Sequence, residues 1–455
     1  MIRDETPRAR SDSLAKGVPT VAIVAHGCRA NQEEMECLAG ELRDRGFRTV
    51  RFGEPADWVI INTCSVTAAG DTDARKAIRR AARVAAGGHV IVTGCFAQKD
   101  PRTAAWLGGD LVLGNAEKWR LPDLLASAAT SGDNPVGIIR GSDPTTRKFL
   151  RHGRRMSGYR TRAALKIQDG CNEHCTYCII PSLRGKGVSR DPEEVLAEAR
   201  TLVAAGYQEI TLTGIHSASY GADSAFGDLV LLLRRLLDID GISRIRVNSL
   251  EPNWVGRDLL ETIGSSPRLC RHLHLPLQSG DPTILKRMGR RYSPGRYREV
   301  VETARSLIPG VAIGADVMVG FPGEDDEAFA RSVSFIEEIR PAYLHIFPFS
   351  ERPGVPAQRL SDPCDQETKR RRAAHMAVLD RRLREEFLRA ADGEVHDLLI
   401  EAKRDHEGRA LSLTDTYIRV AVESDLDAGS WVRARLRWIG NPRRMLAATV
   451  EESLA

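Results

Sequence analysis

Three apolar runs, VAIVAHGC, ADWVIINTC and HVIVTGC, each end on a cysteine, at Cys28, Cys64 and Cys95. A helical pattern separates the first two, from Gln32 to Asp44, with Met35, Leu38, Ala39 and Leu42 on one face. An Ala/Arg-rich helix follows the second and runs to about Val84, with Asp71 or Thr72 as its expected cap. Continuous apolar strands that alternate with helices are buried on both faces and build a parallel sheet. In such a sheet the carboxyl ends of neighbouring strands converge on one edge, outside which ligands bind. The three thiols are therefore expected to meet in space, although ~30 residues or more of strand and helix separate each from the next. Gly27 and Gly94 precede two of them and let the backbone come close to a bulky ligand. One buried cysteine is commonly a packing residue. Three at equivalent positions fit better as ligands of one four-iron cube, with one iron left free of protein.

A second trio is local. Cys171, Cys175 and Cys178 form CxxxCxxC directly after the run ALKIQDG, on a loop at the carboxyl end of a strand. Parallel barrels place their chemistry there. Three thiolates so close can also hold three corners of a four-iron cube and leave one iron open to a small chelating ligand. Structural zinc is the competing reading, but it needs four closed ligands. No fourth cysteine stands at a zinc spacing, and His174 adjoins Cys175. Cys37, Cys270 and Cys364 are isolated and read as ordinary core residues.

The rest of the chain sets the frame. Its 455 residues suggest roughly three domains. Hydrophobic residues at 42% and charged residues at 28% fit a soluble globular protein. Nine cysteines, an odd count without a secretory leader, argue against a disulfide framework. No apolar run is long enough to span a bilayer; Asp228 to Leu237 is broken by Arg234 and Arg235 and reads as a helix face. The expected fold class is α/β. Residues 1–19 are read as a disordered tail, 20–130 as a parallel-sheet α/β domain and 131–156 as a linker. Residues 157–385 repeat strand-like runs (ALKIQ, EITLTG, RIRVNSL, HLHLPLQ, VAIGADVMVG, AYLHIFPF) with helices between them, as in a full or partial parallel barrel. Residues 386–450 hold short alternating runs and read as a small β-barrel.

With both trios in view, the chain resembles the methylthiotransferase branch of the radical S-adenosylmethionine (SAM) enzymes. The carrying motifs are HGCRANQEE (26–34), INTCSVT (61–67), TGCFAQ (93–98), GCNEHCTYCIIPSLRG (170–185), LTGIH (212–216), HLPLQSG (274–280), KRMGRRY (286–292), VGFPGE (319–324) and FSERPGVPA (349–357). The wording is most similar to the subgroup that modifies threonylcarbamoyladenosine in tRNA; sister groups act on isopentenyladenosine in tRNA or on an aspartate of a ribosomal protein. His26 departs from the usual lead-in to the first cysteine and reads as a packing residue. The resemblance implies two [4Fe–4S] clusters: an auxiliary one on Cys28, Cys64 and Cys95, and a SAM-binding one on Cys171, Cys175 and Cys178. It implies SAM in two roles, as methyl donor and as source of a 5′-deoxyadenosyl radical. It implies a TRAM-type β-barrel as the last domain, and Tyr177 beside the adenine of SAM.

The expected reaction is insertion of a methylthio group at C2 of threonylcarbamoyladenosine beside the tRNA anticodon. That carbon is neither acidic nor electrophilic enough for ordinary polar chemistry, so the cofactors carry the difficult step. Ser249 and Gln278, at the ends of barrel strands, are candidate contacts for SAM or the substrate base. The expected partners are the tRNA anticodon stem-loop and an electron donor such as a flavodoxin or ferredoxin. No membrane is involved, and a cytoplasmic monomer is expected. Two basic clusters are candidate RNA surfaces: Arg147, Lys148, Arg151, Arg154, Arg155, Arg160 and Arg162, and the row Arg433, Arg435 and Arg437 with Arg443 and Arg444 nearby. The competing reading of the row is a solvated strand face.

Overall fold

The computed structural model describes residues 17–85, 87–139, 148–153, 161–440 and 445–454. The chain divides into two compact units, residues up to 157 together with 182–186, and residues 158–181 together with 187–455.

In the first unit, β1 (Thr20–Ala25), β2 (Arg48–Val50), β3 (Trp58–Thr63), β4 (His89–Gly94), β5 (Leu111–Leu113) and β6 (Gly137–Ile139) form one sheet in the order β2-β1-β3-β4-β5-β6. Every pair is parallel. All six residues of β3 are buried: the apolar run Trp58–Ile61 and then the polar Asn62 and Thr63. The first helix is Arg29–Asp44, with Cys28 at its N-cap position. The second, Ala68–Val84, is capped by Thr67, not by Asp71 or Thr72. Thr67 has the extended backbone that a cap needs, and its Oγ1 accepts from Gly70 N at 3.0 Å. Asp71 sits buried in the first turn, where it accepts from the Ser65 hydroxyl and from Lys99 Nζ at 2.7 Å. The stretch read as a linker contains β6; three residues opening on a glycine give no periodicity to detect.

The second unit begins with β7 (Ala163–Lys166) and a two-residue hairpin, β8 (Gln168–Asp169) with β9 (Val188–Ser189). Then come β10 (Glu209–Thr213), β11 (Arg244–Val247), β12 (His272–Gln278), β13 (Ala312–Val319) and β14 (Tyr343–Pro348). They form two parallel three-stranded sheets, β11-β10-β7 and β12-β13-β14. A parallel bridge from Ile245 to Leu269 joins them, so six strands curve as a partial barrel with β14 at an open edge. Helices such as Pro192–Ala204 and Leu229–Leu237 cover the outside; Asp191 and Asp228 cap them. The long helix Gln366–Ala390 then leads to β15 (Val395–Leu399), β16 (Ala410–Leu413), β17 (Arg419–Val422), β18 (Trp431–Arg437) and β19 (Leu446–Leu454). These curl into one sheet, β15-β18-β19-β17-β16. No helix among the described residues is long and apolar enough to cross a membrane.

The turn after β16 is one place where the curled sheet meets the barrel. Arg244 and Arg246 at the start of β11 donate to the carbonyls of Leu413 and Thr414, at 3.2 and 2.9 Å. Tyr417 stacks on His272 of β12, ring centres 4.4 Å apart. Asp415 joins both bodies: Arg271 Nε lies 2.7 Å and His396 Nδ1 2.8 Å from its two oxygens. Burial opposes its charge, but these hydrogen bonds and charges outweigh burial and hold its carboxyl well below the usual range. A depressed carboxyl stabilises the fold above its unfolded pKa and loses that contribution as acid protonates it. Asp415→Asn should therefore cost about 1–3 kcal/mol near neutral pH. Urea unfolding of the cluster-free proteins should give a gap between wild type and variant that is constant down to about pH 5 and shrinks below about pH 4. A gap independent of pH would remove this role.

Candidate functional site

The first trio lies where the parallel sheet was expected to put it. Cys28 follows β1, Cys64 follows β3 and Cys95 follows β4. Glycines bring these strand ends together. Gly27 has φ +95°, and a Cβ there would lie 2.5 Å from Cys64 Cβ and 2.8 Å from its sulfur. Gly94 has φ +98°, and a Cβ there would meet Thr63 O at 2.3 Å. Only residues without a side chain allow these approaches. Burial pushes the Cys64 thiol up, and the charges of Cys95 and Cys28 push it further, so the three sulfurs share one electrostatic site. Cys28 also sits at the N-cap position of helix Arg29–Asp44.

Beside this trio lies a buried polar network that the sequence did not announce. Glu34 pairs with Lys118 and, at 2.9 Å, with Arg184, which also donates to Asn31 Oδ1 at 2.6 Å. Asn62 donates to Glu34 at 3.1 Å. Asn115 donates to Leu183 O at 2.9 Å and stands 3.8 Å from Cys95 Sγ. This network sets Lys118 and Arg184 against one carboxylate; burial pulls the Lys118 ammonium down, and the charges of Glu34 and Cys95 oppose that. A dry site with surplus positive charge fits the anionic thiolate-and-iron group that three cysteines imply. His26 serves through its backbone: its N donates to Asn62 O at 2.9 Å, and its carbonyl accepts from Asn31 at 2.8 Å.

The second trio occupies the loop after β8, inside the second unit. Gln168 staples the loop, donating to Gly170 O at 2.8 Å and accepting from His216 N at 2.8 Å. Thr176 fixes its middle, with N on Met288 O and Oγ1 on Arg287 O, both at 2.9 Å. Burial pushes Cys171 up to about 12 and Cys178 up to about 11, and raises Cys175; neighbouring thiols add to all but Cys175. Three half-buried thiols side by side suit a cationic metal group better than packing against apolar neighbours.

Tyr177 stands between two of these cysteines in the sequence and is half-buried, and its hydroxyl accepts from Arg290 at 2.6 Å. Arg290 also grips Glu251 through both carboxylate oxygens, at 2.8 and 2.9 Å. Arg290 lies in KRMGRRY and Glu251 follows β11 in SLEP; no role was read for either, and their only trace is an acid placed just after a barrel strand. Ser249 and Gln278 do stand at the ends of β11 and β12. Both adopt left-handed backbone, φ 58° and 64°, among the described residues' five positive-φ positions outside glycine. Strain of this kind, ~1–2 kcal/mol per residue, collects at binding sites.

The basic clusters fare differently. On β18 the arginines alternate outward as expected, but Arg433 pairs with Asp397 at 2.9 Å and Arg435 with Glu451 at 2.8 Å. Arg437 is exposed and, among the described residues, makes no ion pair. Arg162 pairs with Glu401 at 2.8 Å, and Lys148 lies over the Trp119 ring. Arg147, Arg154, Arg155, Arg160, Arg443 and Arg444 lie outside the described residues.

A partial parallel barrel with three cysteines on the loop after its first strands defines the radical SAM class. Residues 165–336 match the model of the Radical SAM superfamily, and residues 20–114 that of the Uncharacterized protein family UPF0004. The chain is 36% identical to the threonylcarbamoyladenosine tRNA methylthiotransferase MtaB of Bacillus subtilis (strain 168), over 93% of this chain and 95% of that protein. Its identity to the MtaB protein of Aquifex aeolicus (strain VF5) is also 36%, over 91% and 99%. The tRNA-2-methylthio-N(6)-dimethylallyladenosine synthase of Desulfosudis oleivorans is 35% identical over 86% and 84%. Among solved structures, the radical SAM methyltransferase TsrM of Kitasatospora setae superposes with a TM-score of 0.55 at 17% identity, over 75% of this chain and 77% of that one; this likeness concerns the fold alone. The chain belongs to the radical SAM methylthiotransferase family.

Proposed function

We propose that the protein places a methylthio group on C2 of N6-threonylcarbamoyladenosine beside the anticodon of tRNA, using two four-iron clusters. The observation that carries the reading is the meeting of Cys28, Cys64 and Cys95 at one sheet edge, next to a cation-rich buried network, in a chain collinear with MtaB proteins. A barrel trio alone supports radical chemistry of any kind; the sheet-edge trio is what sulfur insertion adds.

Cys171, Cys175 and Cys178 would hold the SAM-binding cluster, and Cys28, Cys64 and Cys95 the auxiliary one. When bound, the clusters and SAM supply the electron, the methyl group and the radical that activates the C2–H bond. The chain's own residues orient these groups and exclude water. Arg290, fixed by Glu251, locks Tyr177 between the cluster cysteines. Gln278 and Ser249 offer polar side chains at the barrel mouth in strained conformations suited to a ligand. The curled sheet, docked through Asp415 and Tyr417, brings an RNA-binding surface that includes Arg437. A small electron-transfer protein such as a flavodoxin or ferredoxin delivers the electron, and the enzyme acts as a monomer in the cytoplasm.

Mass spectrometry of tRNA nucleosides tests the reading. A deletion strain should lack the 2-methylthio derivative of threonylcarbamoyladenosine and accumulate its unthiolated precursor, and the gene in trans should restore it. An unchanged nucleoside profile, or loss of the dimethylallyl derivative instead, rejects it.

A further inference from the structure

The inner face of the barrel carries a polar group that none of these roles uses. Leu273, Leu275 and Leu277 of β12, Ala315 and Val317 of β13 and Leu344 of β14 belong to the core shared with the helices. Alternation along each strand therefore puts His274, Asp316 and His345 on the other face. Asp316 stands opposite His345 in register, and His274 opposite Gly314. Both rings close on one atom: His274 Nε2 is 3.0 Å and His345 Nδ1 3.1 Å from Asp316 Oδ1. This layer is not sealed, because β14 is an edge strand and His345 is 48% exposed. Two residues along, on the same face, the Phe347 ring is also unburied, edge-on to His345 at 6.4 Å.

The chemistry of this layer limits what it accepts. Each imidazole commits one nitrogen to Asp316, and among the described residues the other has no hydrogen-bond partner. Burial opposes the charge of Asp316, yet the two rings outweigh it and hold the carboxyl well below its usual range. Two imidazoles and one carboxylate leave a ring nitrogen on each histidine open to a hydrogen-bonding group. An apolar group lodged here would strip water from these nitrogens and give nothing back. A group with one carboxylate and one hydroxyl offers them polar partners. Threonine joined through its nitrogen keeps both; a dimethylallyl group has neither.

We propose that His274, Asp316 and His345 form the subsite for the threonyl end of the substrate's N6 group, with His345 as the residue that selects it over an apolar substituent. The subsite rests on the substrate reading given above. Phe347 offers the adenine a face on which to stack.

Fluorescence anisotropy tests it with the cluster-loaded enzyme, kept anaerobic, and three anticodon stem-loops identical except for the adenosine: unmodified, threonylcarbamoyl and dimethylallyl. Wild type should bind the threonylcarbamoyl RNA most tightly. His345→Phe, and Asp316→Asn as a variant of unchanged size, should each weaken that RNA by about tenfold or more, with the unmodified RNA moving by less than about twofold. Equal weakening of all three RNAs, or undiminished preference in both variants, overturns the subsite while leaving the substrate reading intact. A wild type that prefers the dimethylallyl RNA removes the substrate reading and the subsite with it. A divalent cation held by the same three groups is the competing occupant. If EDTA erases the wild-type preference, direct reading by the imidazoles is wrong.

Discussion

Cys64→Ala is expected to abolish methylthiolation of tRNA while leaving reductive cleavage of SAM measurable. Iron in the reconstituted protein should fall from about eight to about four atoms per chain, from two cubes to one. The expectation follows from where the two trios reside. Cys64 belongs to the compact unit built on the six-stranded sheet, and Cys171, Cys175 and Cys178 to the unit built on the barrel. Each has its own hydrogen-bonded frame: Asn31, Glu34, Asn62 and Lys118 for the first, Gln168, Met288 and Arg290 for the second. Removing one sulfur from the first trio leaves two ligands for a cube and touches nothing that holds the second. The substitution is also gentle to the fold, because the half-buried sulfur packs against Gly27 and Gly70, where a smaller side chain adds no strain. The separating measurement is 5′-deoxyadenosine by chromatography alongside tRNA nucleosides by mass spectrometry. Loss of both products with four irons retained would mean that the trios do not act as separate sites.

What the sequence made legible was local or periodic. CxxxCxxC is three ligands within eight residues, and the strand-end cysteines follow from continuous apolar runs whose topology permits little else. Every strand-like run read for the barrel contains a strand, between Ala163 and Pro348. What stayed hidden is pairing across distance. Glu34 and Arg184 are 150 residues apart, Glu251 and Arg290 are 39, and Tyr177 and Arg290 are 113. None has a spacing that one chain alone reveals. The arginine row of β18 teaches the same point in reverse. Period two put Arg433, Arg435 and Arg437 on one face, but the acids that neutralise two of them come from Asp397 on β15 and from Glu451 on β19. A charge pattern along one strand does not say what its neighbours present. Thr67 took the cap position that Asp71 was expected to fill because the helix starts four residues earlier, which frees Asp71 for Ser65 and Lys99.

Arg290→Ala is expected to be the most damaging single change in the barrel. The guanidinium is buried, with both oxygens of Glu251 on one nitrogen and the Tyr177 hydroxyl on the other. Burial already lifts the Glu251 carboxyl above its usual range, and Arg290 is the first opposing influence. Without Arg290 the carboxyl loses its partner in a dry site, a change that typically costs about 3–5 kcal/mol. Tyr177 loses its anchor at the same time, and it lies between Cys175 and Cys178, whose spacing sets the ligand triangle. The variant should therefore melt well below wild type, load about four irons in place of about eight, and form 5′-deoxyadenosine at least about a hundredfold more slowly. The double variant Arg290→Met with Glu251→Gln separates stability from positioning. Replacing both charges removes the unpaired carboxylate, so much of the lost stability should return. The Tyr177 hydroxyl still has no donor from position 290, so cleavage of SAM should stay slow. If the double variant recovers both melting temperature and SAM cleavage, Arg290 serves the fold alone and the orientation of Tyr177 is irrelevant to the cluster.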